Sequence, residues 1–132
     1  MAAGVLLGAC CVLVGIFYFI SRDMCGNDVV REVVSPDGKQ KVVVFERSCG
    51  ATTGFSTQMS IVQARKKLDN EGGNAFVADS SHGAVEVNSR GVIDADVHWI
   101  DNNTVEISYP VGARIFRNNS QVGSVSVRYT AK

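Results

Sequence analysis

The sequence has no excess of charge of either sign. Its 132 residues include 13 lysine and arginine residues and 13 aspartate and glutamate residues. The nearest approach to a charge run is Arg65-Lys66-Lys67, and Asp69 and Glu71 follow it at once. Binding of nucleic acid by electrostatic attraction needs a basic face, whereas mixed charge is typical of a solvated loop. The sequence therefore predicts no nucleic-acid partner.

Charged residues are also missing from the first 21 residues. Ala2 to Ile20 form an uncharged, largely apolar run of 19 residues. As a helix with a rise of ~1.5 Å per residue it would reach ~28 Å, close to the ~30 Å thickness of the hydrocarbon core of a membrane. Aromatic residues at positions 17–19 would lie at the membrane interface. The sequence predicts a transmembrane anchor over residues 1–21 and a separate domain over residues 22–132.

Two other interpretations of the N-terminus remain open. A cleaved signal peptide would begin with basic residues, and Met1 to Gly4 contain none. Leu7 to Cys10 resemble a bacterial lipoprotein cleavage box, although only six residues precede it. Gly4 and Gly8 form a pair of small residues that would let two helices approach closely, so a helix-mediated homodimer is a further hypothesis.

Cysteine is scarce outside this apolar run, where only Cys25 and Cys49 occur. Between them, two valine-rich runs flank Ser35–Gly38, whose proline, aspartate and glycine are typical of a hairpin turn. Pairing Ser35 with Gly38 and extending the ladder outward brings the two cysteines almost opposite each other. Antiparallel neighbours have Cα atoms ~4.5 Å apart, within reach of a disulfide. The sequence therefore predicts a Cys25–Cys49 disulfide.

A disulfide indicates an oxidising compartment, and therefore a domain outside the cytoplasm. Arg22 and Arg31 follow the apolar run with nothing basic before it, which by the positive-inside tendency favours the opposite orientation. Two arginines are a weak count, and long domains cross membranes regardless of charge. We therefore expect the domain after residue 21 to be extracytoplasmic.

Helical periodicity is nearly absent from the rest of the chain, and period-two alternation replaces it. Ile93, Ala95, Val97 and Trp99 alternate with polar residues, and similar runs surround residues 105–109 and 125–129. In the run from Phe55 to Ala64, the face that carries Met59 and Ile61 would also carry Phe55. Short alternating strands separated by turns predict an all-β domain, an antiparallel sandwich or bent sheet of about seven strands.

Two groups of residues could support catalysis. Asp94, Asp96 and His98 project from one face of a predicted strand at intervals of about 7 Å, and could bind a divalent metal with help from a neighbouring strand. The polar outer face of a half-buried strand gives the same alternation, so no cofactor is predicted. His82 follows Asp79 in a loop that also contains two serines, which suggests a hydrolytic site only if the groups converge in space.

The segment Cys49–Gln58 is the densest cluster of small polar residues in the chain. Its hydrogen-bonding side chains belong to Thr52, Thr53, Ser56 and Gln58. They could bond to the backbone of a tight corner or face outward as a binding surface. The sequence does not decide between these alternatives.

The strings SPDGKQKVVVFERSCGATTGFSTQMSI, NEGGNAFVAD and VHWIDNNTVEISYP resemble a family of small bacterial membrane-anchored proteins of unknown function. The resemblance covers nearly all of residues 25–129 and implies a compact extracytoplasmic domain in a single-pass protein of the bacterial cytoplasmic membrane, facing the periplasm. It implies no catalytic residues. We therefore expect a membrane-tethered, non-catalytic module that binds an envelope protein or peptide. The alternative is an envelope enzyme, metal-dependent or hydrolytic, that uses Asp94, Asp96 and His98, or His82.

Overall fold

The computed structural model describes residues 8–17, 24–50 and 54–132. Residues 8–17 form a helix, α1. The strands of the described chain are β1 (Gly26–Val34), β2 (Gln40–Ser48), β3 (Ser56–Gln63), β4 (Phe76–Asp79), β5 (Asp96–Asp101), β6 (Thr104–Tyr109), β7 (Arg114–Asn118), β8 (Gln121–Val122) and β9 (Val125–Ala131).

These strands form two sheets that share one core. The first sheet has five strands in the order β1-β2-β3-β4-β7, and the second has four in the order β5-β6-β9-β8. Val42 and Phe76 of the first sheet and Ile107 and Val125 of the second belong to a single buried apolar cluster. The all-β prediction is confirmed. β6 and β9 are parallel, contrary to the antiparallel prediction, because β7 and β8 form the long connection that a parallel pair requires.

The predicted transmembrane helix is wrong. Within residues 8–17, 24–50 and 54–132, no helix is long and apolar enough to cross a membrane. The described residues of helix α1, 8–17, span ~15 Å, about half of the ~30 Å hydrocarbon thickness. The predicted location as a single-pass protein of the bacterial cytoplasmic membrane depended on this helix and is not supported either. An uncharged, apolar composition is compatible with a membrane span but does not by itself make a helix that crosses a membrane. Gly4, part of the hypothetical dimer contact, lies outside the described residues.

The first hairpin has the predicted turn sequence but a different register. The Gly38 amide donates to the Ser35 carbonyl at 2.9 Å and closes the turn, but the Ser35 amide donates to the Gln40 carbonyl at 2.8 Å, so the ladder continues from Ser35 and Gln40. A β-bulge at Val30 then shifts the ladder by one residue, and Gly26 comes to lie opposite Ser48. The longer loop moves the ladder by two residues from the predicted register, and the bulge moves it back by one. The two cysteines therefore meet as predicted, although the prediction contained neither feature.

Strand β2 is buried on both of its faces. Val42 and Val44 point into the core shared by the sheets, while Val43 and Phe45 on the opposite face are also fully buried. A segment that we call the strap, residues 64–74, lies over this second face. The strap binds the side chains beside Val43 and Phe45 on β3: its Gly73 amide donates to Gln58 Oε1 at 2.7 Å, and its Asn74 amide donates to Ser60 Oγ at 3.1 Å.

Candidate functional site

A disulfide closes the end of the first sheet where β1 begins and β2 ends. Cys25 and Cys49 are bonded, with an S–S distance of 2.09 Å, which confirms the prediction. Gly50 follows with φ of 115°, a left-handed conformation that only glycine adopts easily. The chain thus turns sharply after the disulfide, as a corner toward β3 requires. Thr52 and Thr53, two of the predicted binding residues, lie outside the described residues.

The other two predicted binding residues bond within the protein. Ser56 Oγ donates to the Arg47 carbonyl at 3.1 Å and accepts from Gln58 Nε2 at 2.8 Å. Gln58 is buried, and its Oε1 accepts from the Gly73 amide. Between them, Thr57 Oγ1 accepts from the Ile93 amide at 2.9 Å. The polar side chains of Ser56 and Gln58 therefore form hydrogen bonds within the corner and with neighbouring segments.

A left-handed turn lies next to this corner, at the end of β4. Ser81, His82 and Gly83 have φ of 52°, 57° and 85°, and the first two are unusual because they are not glycine. The Ser81 amide donates to Asp79 Oδ1 at 2.8 Å, and the Gly83 amide donates to Ser80 Oγ at 3.1 Å. The turn lies outside the strands, so its backbone amides need acceptors other than strand carbonyls. The side chains of Asp79 and Ser80 provide these acceptors and hold the strained turn in place.

Arg114, at the start of β7, links the turn to the sheet. Its Nε donates to Asp79 Oδ1 at 3.1 Å, and its Nη2 donates to the other carboxylate oxygen. The guanidinium lowers the pKa of Asp79 below its usual range, and the bond from the Ser81 amide lowers it further. The guanidinium also lies over the Phe116 ring, 4.9 Å from the ring centre. A β-bulge gives Phe116 no partner on β4, and its side chain is exposed.

These elements surround a cleft at the disulfide end of the sandwich. Its volume is about 400 Å³, and its lining residues include Phe55, Ser80, His82, Val87 and Arg114. Phe55 is 62% exposed and Val87 is 52% exposed. Two segments that the sequence analysis treated separately, the corner after Cys49 and the loop around His82, therefore meet at one site. We call it the corner cleft.

Phe55 departs from its predicted position. Alternation through β3 would place it on the buried face with Met59 and Ile61, but β3 begins only at Ser56. The ring instead lies beside Gly91, where an added Cβ would approach Phe55 Cγ to 3.6 Å. Periodicity holds only inside a strand, so it could not place a residue one position before the strand begins. Sequence reasoning also missed Arg114, which gave no signal other than its charge.

Asp79 and Ser80, the residues beside His82 in the hydrolytic alternative, bond to the turn and to Arg114. Both carboxylate oxygens of Asp79 accept hydrogen bonds from Arg114, and Ser80 Oγ accepts from the Gly83 amide. A Ser-His-Asp site needs the carboxylate to accept from the imidazole and the hydroxyl to donate to it. In this structure the carboxylate and the hydroxyl instead maintain the turn.

The residues of the metal alternative project outward. Asp96 and His98 lie on β5, and Asp94 lies just before it. Asp94, Asp96 and His98 are all exposed, as the alternation predicts. Asp96 forms an ion pair with Arg31 at 3.2 Å, and His98 Nε2 lies 3.6 Å from Glu106 Oε1 on β6. The described part of the chain contains no group of three or more histidine, cysteine, aspartate and glutamate residues that could hold a metal ion.

Glu46, on β2, is a buried acid that the sequence did not reveal. It is 9% exposed, and among the described residues its Oε1 is the one buried side-chain polar atom without a hydrogen-bond partner. Burial raises the pKa of Glu46, and the neighbouring Asp28 carboxylate raises it further. Its Cγ lies 3.6 Å from the position of an added Cβ on Gly91. Glu46 therefore packs against Gly91, a lining residue of the corner cleft.

Comparison of the chain with protein-family models, with curated proteins and with solved structures gave no match. The resemblance to a family of small bacterial proteins therefore stays a prediction.

Proposed function

We propose that this chain is a non-catalytic binding module that recognises a protein or peptide partner at the corner cleft. The observation that carries the proposal is the pair of exposed apolar side chains, Phe55 and Val87, in the walls of a hollow of about 400 Å³. Exposed aromatic and aliphatic groups around a concave site are typical of recognition surfaces. The expected ligand is a peptide segment that inserts an apolar side chain between them.

The frame of the cleft supports this proposal. Ser56, in the lining, bonds to the Arg47 carbonyl of β2 on one side, and the Asp79–Arg114 ion pair joins β4 to β7 on the other. A preformed site loses less conformational entropy when it binds. Arg114 extends the surface to the exposed ring of Phe116, and arginine and aromatic residues are enriched at the energetic centres of protein interfaces. His82 and Ser80 in the lining provide polar contacts beside the apolar ones.

Selection of peptides from a random displayed library against the folded protein tests this function. We expect enriched peptides to share an aromatic or aliphatic residue. In fluorescence-anisotropy titrations their Kd should rise at least about ten-fold for Phe55→Ser or Val87→Ser, since hot-spot residues contribute this much or more. Both side chains are more than half exposed, so these substitutions should leave the fold intact.

Val111→Ser is the matched control, because Val111 is 71% exposed and does not line the corner cleft. It should leave the Kd of the selected peptides unchanged. Selection of no peptide, or selected peptides that bind the Phe55→Ser and Val87→Ser variants as tightly as the original protein, would contradict the proposal.

A further inference from the structure

A second hollow lies between the strap and the outer face of β1 and β2. Its volume is about 480 Å³, and none of its lining residues belongs to the corner cleft. The lining includes Lys41 from β2 and Arg65, Lys66 and Lys67 from the strap. The sequence interpretation of residues 65–67 as a plain solvated loop did not include Lys41, which the fold brings beside them. We call this site the strap hollow.

Lys41 gives the strap hollow a buried cation. The residue is 6% exposed, which is unusual for lysine because removing an ammonium from water is costly. An ammonium has three donor hydrogens, and among the described residues its acceptor is Glu32 Oε1, at 3.0 Å from Nζ. Donor capacity therefore remains for an additional acceptor in the hollow.

The charges around the strap hollow are unbalanced. The four basic residues in its lining face the carboxylates of Glu32, which bonds to Lys41, and Asp69, which bonds to Lys66 at 3.3 Å. The lining itself contains four basic residues and one carboxylate, that of Glu32, so it carries an excess of positive charge on a chain that is neutral overall. A negatively charged ligand would balance this excess.

Hydrogen bonds to β1 fix the strap in position. Asn27 Nδ2 donates to the Asp69 carbonyl at 3.2 Å and to the Glu71 carbonyl at 2.8 Å. In the other direction, Asn70 Nδ2 donates to the Cys25 carbonyl at 2.9 Å. These bonds join the strap to the strand that carries Glu32 and the disulfide. The backbone that carries the basic residues is thus held in place before any ligand arrives, which favours binding.

We propose that the strap hollow binds the phosphoryl group of a phosphate monoester. Such a group carries about −1.5 to −2 charges at neutral pH and several strong acceptor oxygens, which match the excess charge and the donors of Lys41 and Arg65. The guanidinium fork is suited to phosphate oxygens. Val29, which is 39% exposed, and Leu68 form an apolar part of the lining, where the organic group of the ester would lie.

Calorimetric titration with phenyl phosphate at constant ionic strength tests this proposal on the intact chain, with benzoate as a singly charged aromatic probe. We expect saturable binding of phenyl phosphate and at least about ten-fold weaker binding of benzoate, because hydrogen bonds between charged groups each contribute this much or more. Inorganic phosphate should bind as well, but more weakly than phenyl phosphate. Amide chemical shifts should move in residues 65–68 and stay constant in residues 79–83, which separates this site from the corner cleft.

Substitutions then locate the site. Arg65→Gln and Lys67→Gln change exposed side chains, and each should raise the Kd of phenyl phosphate at least about ten-fold. Lys41→Met keeps most of the buried stem and should abolish binding. Arg128→Gln is the control, since it removes the same charge from an exposed position on β9. It should leave the Kd unchanged.

Absence of saturable binding would overturn the proposal. So would equal affinity for benzoate, or an equal loss of affinity in the Arg128→Gln variant, because either result would indicate a non-specific response to charge. If Lys41→Met fails to fold, the Arg65→Gln and Lys67→Gln variants decide the outcome.

Discussion

The two sheets of this protein bury their residues in different ways. In β5, β6 and β9, fully buried residues alternate with more exposed ones. In β2 every residue from Lys41 to Glu46 is buried. The four-stranded sheet has one covered face, whereas the strap covers a second face of the five-stranded sheet. Consecutive valines in an antiparallel strand therefore indicate that a second segment of the chain covers the other face of that strand.

The largest expected effect comes from removing a side chain between β2 and the strap. Phe45 is fully buried on that face. We expect Phe45→Ala to lower the free energy of unfolding by about 3–5 kcal/mol, because it removes a large buried ring and leaves a cavity. Urea denaturation followed by fluorescence of the single tryptophan measures the change.

The matching substitution in the four-stranded sheet is His98→Ala, on the exposed face of β5. We expect it to change the free energy of unfolding by less than about 0.5 kcal/mol, as is usual for surface positions. Similar losses for Phe45→Ala and His98→Ala would mean that the strap does not form a second buried layer.

A smaller effect should follow from loss of the disulfide, which lies at the end of the five-stranded sheet. Replacing Cys25 and Cys49 together by serine opens a loop with a sequence separation of 24 residues. The chain-entropy model predicts a loss of roughly 3 kcal/mol in the free energy of unfolding. Hydrogen exchange should also become faster in β1 and in the strap, because Asn70 bonds to the carbonyl of Cys25.

The control for this experiment is the unsubstituted protein treated with reductant, in which Cys10 and Cys11 are already free. Reduction should destabilise the original protein and leave the serine variant unaffected. A serine variant as stable as the oxidised protein would contradict the prediction.

Sequence reasoning was most successful where structure depends on local pattern. Alternation between Ile93 and Trp99 predicted which residues of that segment face the core, because the side-chain period of a strand is two. The disulfide was also predictable, although the Ser35–Gln40 pairing and the bulge at Val30 were not. The predicted pairing of Ser35 with Gly38 was wrong by two residues near the turn, where Val34 pairs with Lys41, and the bulge at Val30, which carries no sequence signature, moves the ladder back by one.

The candidate sites were less predictable because they depend on contacts distant in sequence. Lys41 and Arg65 line one hollow across 24 positions, and Phe55 and Arg114 line another across 59. Nothing in the local pattern indicates which strands become neighbours. The apolar N-terminal run failed as a predictor for a different reason, since an uncharged, apolar composition does not by itself make a helix that crosses a membrane.

The smallest expected effect is a change in the pH dependence of the free energy of unfolding. It tests whether β2 is buried near its C-terminal end, at Glu46. Burial raises the pKa of Glu46 above its ordinary value of 4.5. The folded state therefore binds this proton more tightly than the unfolded state does. The contribution of protonated Glu46 to the free energy of unfolding is complete below pH 4.5. It is lost as the pH rises through the pKa that Glu46 has in the folded state. Glu46→Gln should remove this loss, so the free energy of unfolding of the variant, relative to the original protein, should increase with pH above 4.5.

Asp79→Asn provides a control of opposite sign on the same sheet. Arg114 lowers the pKa of Asp79 below its ordinary value of 3.8, so its contribution is present above that pH and is lost as the pH falls through the pKa of the folded state. Urea denaturation at intervals of about one pH unit, from about pH 3 to about pH 8, gives the free energy of unfolding of both variants. The dependence of these free energies on pH is then compared between the two variants. If Glu46→Gln follows the same pH dependence as the original protein, then Glu46 titrates alike in the folded and unfolded states. Such a result would mean that the end of β2 is open to water, and that two-sided burial stops at Phe45.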